Sequence, residues 1–263
     1  MPHMPPKVTA PALREMKSKG KKICFITAYD AEMAAIADSA GVDAILVGDS
    51  VANTMLGRQN TIGVTLEEMV HHTRAVAAAK PRALVVADLP FGTYEASGEQ
   101  AFKSAVELMR AGAEAVKLEG CQMEAIQCLY EAGIPVVGHL GFTPQKIHQI
   151  GGFKMQGKGE QAQFLTDDAE SMDQYLSALV LELVPDELAR TLTEKLTAPT
   201  IGIGAGPNCD GQVQVLNDVL GITETEFRHA KKYIDARQLI RTAITQYAEE
   251  VHSDTFRPGS NQN

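Results

Sequence analysis

The chain has 263 residues, with 24 Lys and Arg against 33 Asp and Glu, a formal net charge of −9. That acidity argues against nonspecific nucleic-acid binding and against an anionic membrane surface, and the lack of Trp with only 5% aromatics leaves little to stack on bases. An apolar fraction of 44% excludes a disordered or fibrous chain, and the length suits one or two ordinary domains or one α/β barrel of ~250 residues.

Four cysteines (Cys24, Cys121, Cys128 and Cys209) form no C-x-x-C pair, so buried free thiols are expected rather than a disulfide framework or a zinc knuckle. The opening MPHMPPKVTAP has no apolar core of a signal peptide, and no apolar run approaches the ~18 residues of a membrane span. The expected compartment is the cytoplasm, without membrane or nucleic-acid partners.

No linker divides the chain, so one domain over 1–263 is expected, with loose ends at 1–10 and 253–263. ALREMKSKG precedes the first strand and reads as an extra helix that closes one end of the fold. Short β-branched runs follow at 23–29, 44–48, 83–88, 115–119, 135–140, 178–184, 199–205 and, least clearly, 213–216, each of the length of a buried parallel strand. Helical patterns lie between them. TLEEMVHHTRAVAAA opens on Thr65 with Glu68, a capping box; GEQAFKSAVELMRAGA ends at Gly112, and MEAIQCLYEAG ends at Gly133; PDELARTLTEKL has Pro185 near its first turn. Eight alternations predict an α/β fold, a (β/α)8 TIM barrel with an extra N-terminal helix. A doubly wound sheet is the alternative, but TAYDAEM after the first strand lacks the glycine fingerprint that such a sheet needs there.

In barrel enzymes the chemistry sits where strands end. Here the strand ends carry Asp49-Ser50, Asp88, Lys117 and Glu119, His139, and Glu182. Alternation along a strand puts Lys117 with Glu119, Val86 with Asp88, and Val47 with Asp49 on common faces. Asp49, Asp88, Glu119 and Glu182 are therefore expected to converge on one mouth. Each acid alone could simply cap the following helix. Together they repel, by about 4 kcal/mol per pair at 4 Å and an effective dielectric of ~20, so the group must take up protons or a cation. Oxygen-only donors suit Mg2+ first and Mn2+ second.

The order of TAYD, ILVGDS, VTLEEM, ADLPF, VKLEG, GHLGFTPQ, GGFKMQGK, VLELVP, IGIGAG and CDGQVQV resembles the ketopantoate hydroxymethyltransferase family over about residues 11–252. The resemblance implies a Mg2+-dependent barrel of pantothenate biosynthesis. Its reaction moves a hydroxymethyl unit from 5,10-methylenetetrahydrofolate, a co-substrate, to 3-methyl-2-oxobutanoate, giving 2-dehydropantoate. By motif, it implies Asp49, Asp88 and Glu119 as metal ligands. Asp49, Ser50, Asp88 and Lys117 would be substrate-binding, Glu182 the catalytic proton acceptor, and the assembly a homo-oligomer, a decamer. His139 on the same mouth is expected either to support the metal shell or only to bond a neighbour.

The residues depart from the family pattern at Arg58–Val64, at 171–178 and at Asn217. The glycine-rich stretch 138–159 reads as a mobile lid or a plain surface loop. IGIGAG lacks the spacing of a nucleotide loop; close backbone packing is the expected role of its glycines, with phosphate binding, as at strand seven of other barrels, the alternative. His71 and His72 have no partner ligands at metal spacing. Two other functions are weighed: a related metal barrel lyase or mutase acting on another 2-oxo acid or phosphoenolpyruvate, whose acids would look much the same, and a non-enzymatic binding barrel, against which Asp49, Asp88, Glu119 and Glu182 together speak.

Overall fold

A computed structural model describes residues 6–225 and 230–257. It packs as two compact units, Met1–Val215 and Leu216–Asn263. The first holds the whole barrel. Helix α1 (Ala10–Ser18) leads into β1 (Ile23–Thr27), α2 (Ala31–Ser39), β2 (Ala44–Val47), α3 (Val51–Thr54), α4 (Leu66–Ala78) and β3 (Leu84–Asp88). Then come α5 (Gly98–Ala111), β4 (Ala115–Glu119), α6 (Met123–Glu131), β5 (Val136–Gly141), a 3-10 turn at Pro144–Lys146, and α7 (Ile147–Ile150). α8 (Gln161–Met172), β6 (Leu176–Glu182), α9 (Asp186–Lys195), β7 (Thr200–Ile203) and β8 (Gly211–Gln214) complete it. The eight parallel strands close in sequence order, with β8 pairing back onto β1. The β8 strand is displaced by two residues from its expected place, because Gly211 and Gln212 carry no apolar signal yet pair with Ile23 and Cys24.

The strand interiors set the geometry of everything above them. Phe25, Leu46, Val86, Ala115, Val137, Val180, Ile201 and Val213 point inward and form one core with Leu13 and Met16 of α1. That helix plugs one end of the barrel, as expected; full burial of Leu13 alone contributes about 2 kcal/mol. Arg14 donates to the Leu176 and Asp173 carbonyls, and Lys17 pairs with Asp210 at 2.8 Å. Residues 7–10 are not loose. Val8 and Ala10 are buried, and Lys7 Nζ reaches the Pro81 and Ala83 carbonyls and Glu114. Residues 253–257 are exposed, and the stretches 1–5 and 258–263 of the expected loose ends lie outside the described residues.

Local signals fix the helices. In α4, Thr65 Oγ1 accepts from the Glu68 amide and Glu68 answers on the Thr65 amide. α5 starts on the Ser97 side chain and stops at Gly112, whose φ of 109° needs glycine. The thiols are less hidden than expected: Cys209 is buried, Cys121 and Cys128 are half-buried, and Cys24 is exposed. In the second unit, α10 (Leu216–Val219) precedes α11 (Ala236–His252), which Asp235 caps. Leu239, Ile240, Ile244, Tyr247 and Val251 of α11 are exposed. Among the described residues no helix is long and apolar enough to cross a membrane.

Candidate active site

Strand register brings the polar residues to one level at the carboxyl ends of β3 to β6. Asp88 stands beside Lys117, Glu119 beside His139, and Glu182 beside Gly141. Val86, Ala115, Val137 and Val180 lie directly below, pointing inward, so Asp88, Lys117, His139 and Glu182 inherit their inward face by alternation. Asp49 arrives differently from the expected parity. Leu46, not Val47, faces the core, and β2 ends at Val47. The chain then turns through Gly48, where a Cβ would sit 2.9 Å from Ser50 Oγ and 3.6 Å from Asp88 Oδ2. The turn, rather than strand alternation, carries Asp49 to the mouth.

The contacts form two linked groups. In the first, the Asp49 amide donates to Asp88 Oδ2 at 2.9 Å, and Lys117 Nζ lies 2.9 Å from Asp88 Oδ1. In the second, His139 stands between two carboxylates, with Nδ1 3.4 Å from Glu119 Oε1 and Nε2 3.3 Å from Glu182 Oε2. Neither histidine contact has full hydrogen-bond geometry, and Glu119 Oε1 has no hydrogen-bond partner. Ser50 is held from the turn after β1, by Tyr29 Oη at 2.8 Å; His72 Nδ1 in turn meets the Tyr29 carbonyl at 2.8 Å. His72 therefore supports the TAYD turn.

The electrostatics follow from burial. Desolvation, then the charges of Asp88 and Glu119, push Asp49 up to about 8. Desolvation raises Glu119 to about 7 despite the lowering influence of Lys117. Burial alone would lower the Lys117 ammonium, but Asp88, Glu119 and Asp49 outweigh it and raise its pKa. Burial also lowers His139 and raises Glu182, each partly offset by the other. A neutral imidazole beside a carboxyl whose proton affinity is raised suits proton transfer at that edge of the mouth.

The donor set fits a hard cation. Asp49, Asp88 and Glu119 offer only oxygens, Glu119 Oε1 is an orphan, and Asp49 and Glu119 are pushed toward protonation where no cation offsets them. Among the described residues no three acidic, histidine or cysteine side chains stand grouped so as to hold a metal ion by themselves. Mg2+ is usually bound through one or two carboxylates and keeps several waters, so an open arrangement suits it.

Sequence reasoning passed over three contributors. Tyr29 orients Ser50. Tyr94 and Gln145, both buried, lie among the acids: Gln145 Nε2 donates to Asp49 Oδ2 at 2.9 Å, and its amide N–H donates to Glu119 Oε2 at 3.0 Å. The TPQ triplet was the available signal for Gln145. The remaining motifs resolve plainly. Half of the 138–159 stretch is β5, a 3-10 turn and α7, and Phe153 packs on Phe142 with ring centroids 4.7 Å apart. Gly202 of IGIGAG packs on Cys209, and Gly206 abuts the Asp186 carboxylate, which disfavours a phosphate there. In the departing 58–64 segment, Arg58 forks onto Glu68 at the start of α4 and holds its carboxyl at about 2.

Residues 7–259 match the ketopantoate hydroxymethyltransferase family. The chain belongs to that family. It is 52% identical over 244 residues to the 3-methyl-2-oxobutanoate hydroxymethyltransferase of Pyrobaculum neutrophilum, covering 91% of this chain and 93% of that protein. It is 49% identical over 259 residues to the enzyme of the same name from a Thermoanaerobacter species, covering 96% and 94%. Among solved structures its fold is similar to 2,3-dimethylmalate lyase, a PEP mutase/isocitrate lyase superfamily member (TM-score 0.59, 18% identity, 97% and 92% covered). It is also similar to a phosphonopyruvate hydrolase complexed with oxalate and Mg2+ (TM-score 0.62, 12% identity, 96% and 90% covered). At those identities the likeness is one of fold.

Proposed function

We propose that this member of the family is a 3-methyl-2-oxobutanoate hydroxymethyltransferase of pantothenate biosynthesis, with 5,10-methylenetetrahydrofolate as one-carbon donor and Mg2+ as cofactor. The observation that carries this reading is the mouth itself. Three buried carboxylates and Lys117 face Glu182 across His139, in a chain of this family. Asp49, Asp88 and Glu119 would hold the cation, with Ser50 and Lys117 on the oxo acid. Bound there, the cation supplies Lewis-acid polarisation of the substrate keto oxygen. Lys117 sets a fixed positive charge beside the site where negative charge develops, and its burial keeps that field strong. Ser50, pinned by Tyr29, orients the carboxylate end of the substrate. Glu182 takes the C3 proton, and His139 Nε2 stands 3.3 Å from the carboxyl that receives it. The resulting carbon nucleophile forms a C–C bond to the one-carbon unit, the bonds from that carbon to the folate nitrogens break to release tetrahydrofolate, and water supplies the hydroxyl of the product.

The chain is further proposed to work in the cytoplasm as a homo-oligomer, a decamer. The exposed apolar residues of α11 support self-association. The deciding test incubates the protein with 3-methyl-2-oxobutanoate, with and without methylenetetrahydrofolate, after EDTA treatment and after Mg2+ readdition. Formation of 2-dehydropantoate only with folate and Mg2+ is the expected result. Exchange of the C3 proton with no one-carbon transfer would instead favour a lyase or mutase acting on a 2-oxo acid.

A further inference from the structure

Two buried side chains outside the five proposed to hold cation and substrate are wired into the acid cluster by a closed set of hydrogen bonds. Gln145 lies within the 3-10 turn Pro144–Lys146 after β5, and Tyr94 lies in the loop between β3 and α5. Both are almost fully buried, at 3% and 2% exposure. The Tyr94 hydroxyl accepts from the Glu119 amide at 3.2 Å, which directs its own proton to Gln145 Oε1 at 2.6 Å. That bond decides which end of the Gln145 amide is oxygen. The Nε2 end is thereby turned to Asp49 Oδ2 at 2.9 Å, with the Leu89 carbonyl at 3.0 Å taking its second proton. The Gln145 main-chain amide closes the ring on Glu119 Oε2 at 3.0 Å. A flipped amide would present its oxygen to a carboxylate oxygen and leave two buried acceptors facing each other, a costly arrangement.

We infer that Gln145 and Tyr94 are positioning residues that fix the carboxylates of Asp49 and Glu119 for the cation, Tyr94 acting through the amide orientation of Gln145. The inference rests on the reading of Asp49, Asp88 and Glu119 as the cation site. One oxygen of each carboxylate is committed to Gln145, so the other is aimed rather than free to rotate. The same bonds supply part of the solvation that burial removes, and so allow both acids to ionise when a cation arrives.

The test measures Mn2+ binding to the full chain by electron paramagnetic resonance, alongside thermal unfolding in EDTA. Gln145→Met keeps the volume and removes both side-chain donors; Tyr94→Phe removes one oxygen. Outer partners of metal ligands typically control affinity about 10–100-fold, and a loss in that range is expected for Gln145→Met, with a smaller loss for Tyr94→Phe. The double variant should lose less than the product of the two, because both act on one amide. A purely structural role predicts a lower unfolding temperature with Mn2+ affinity within twofold of the parent chain, and that result overturns the inference. Losses that multiply would remove the link through Tyr94. Failure of the unaltered chain to bind Mn2+ sinks the cation reading itself and this inference with it, a result distinct from the other two.

Discussion

Glu182 and His139 show how much one residue's surroundings decide. Glu182 ends β6 with its carboxyl 3.3 Å from His139 Nε2, and its backbone is followed by Leu183 at a φ of 48°, a turn that takes the chain away and leaves the side chain at the mouth. Replacing Glu182 by Gln keeps shape and removes proton-accepting power. We expect turnover to fall about 10²–10⁴-fold, with loss of C3 deuterium exchange followed by NMR and with Mn2+ affinity retained. Unchanged exchange would move the base elsewhere. The residue types of this site were legible at strand ends, where Asp, Lys, Glu and His interrupt apolar runs. Gln145 was marked only by the TPQ triplet, and a neutral amide there does not by itself show that it is buried among the acids.

At the scale of elements, the strand ends depend on what the next loop permits. Gly141 closes β5 at a φ of 93°, and a Cβ there would meet Val184 Cγ1 at 2.6 Å and the Glu182 carbonyl. Gly133, at a φ of 76°, has nothing within 4 Å of its would-be Cβ. Gly133→Ala should therefore cost only the left-handed strain of about 1–2 kcal/mol. Gly141→Ala adds a clash beside Glu182 and should cost clearly more, about 3 kcal/mol or above, read from urea midpoints. Equal costs would show that β5 and β6 separate easily at their ends. Helix starts and stops such as Thr65–Glu68 and Gly112 were readable because caps are local hydrogen bonds. The β8 strand was misplaced because Gly211 and Gln212 have no apolar pattern, and only pairing with β1 makes them a strand.

For the whole molecule, the acid cluster links stability to pH and to metal. Asp49 and Glu119 are raised above ordinary carboxylate values, so the metal-free folded chain binds more protons than the unfolded chain between about pH 4 and about pH 8. Metal-free stability therefore falls as pH rises through that window. A bound cation displaces those protons, so added Mg2+ should stabilise the protein far more at pH 8.5 than at pH 6. At a hundredfold excess over Kd the gain is about 2.7 kcal/mol, or roughly 5–10 °C in Tm for a chain of this size. Scanning calorimetry at both pH values checks it; equal shifts would contradict carboxylate titration at the mouth. The exposed run Ile240, Ile244, Tyr247 and Val251 repeats at helical spacing on α11. Ile244→Glu should lower the mass observed by analytical ultracentrifugation if that face carries self-association, with the barrel's circular dichroism unchanged.

The amino-acid sequence alone determined the alternation of eight strands and their helices, the extra helix before β1 and most of the polar residues at the mouth. Those features are written in periodicity, in local caps and in charges that break apolar runs, all of which act over a few residues. Tertiary structure alone decided that Asp49 reaches the mouth by a turn at Gly48, that Tyr94 and Gln145 tie Asp49 to Glu119, and that His139 stands between Glu119 and Glu182. Each depends on residues dozens of positions apart, and only barrel closure and strand register set their distance and the burial that shifts their proton affinity.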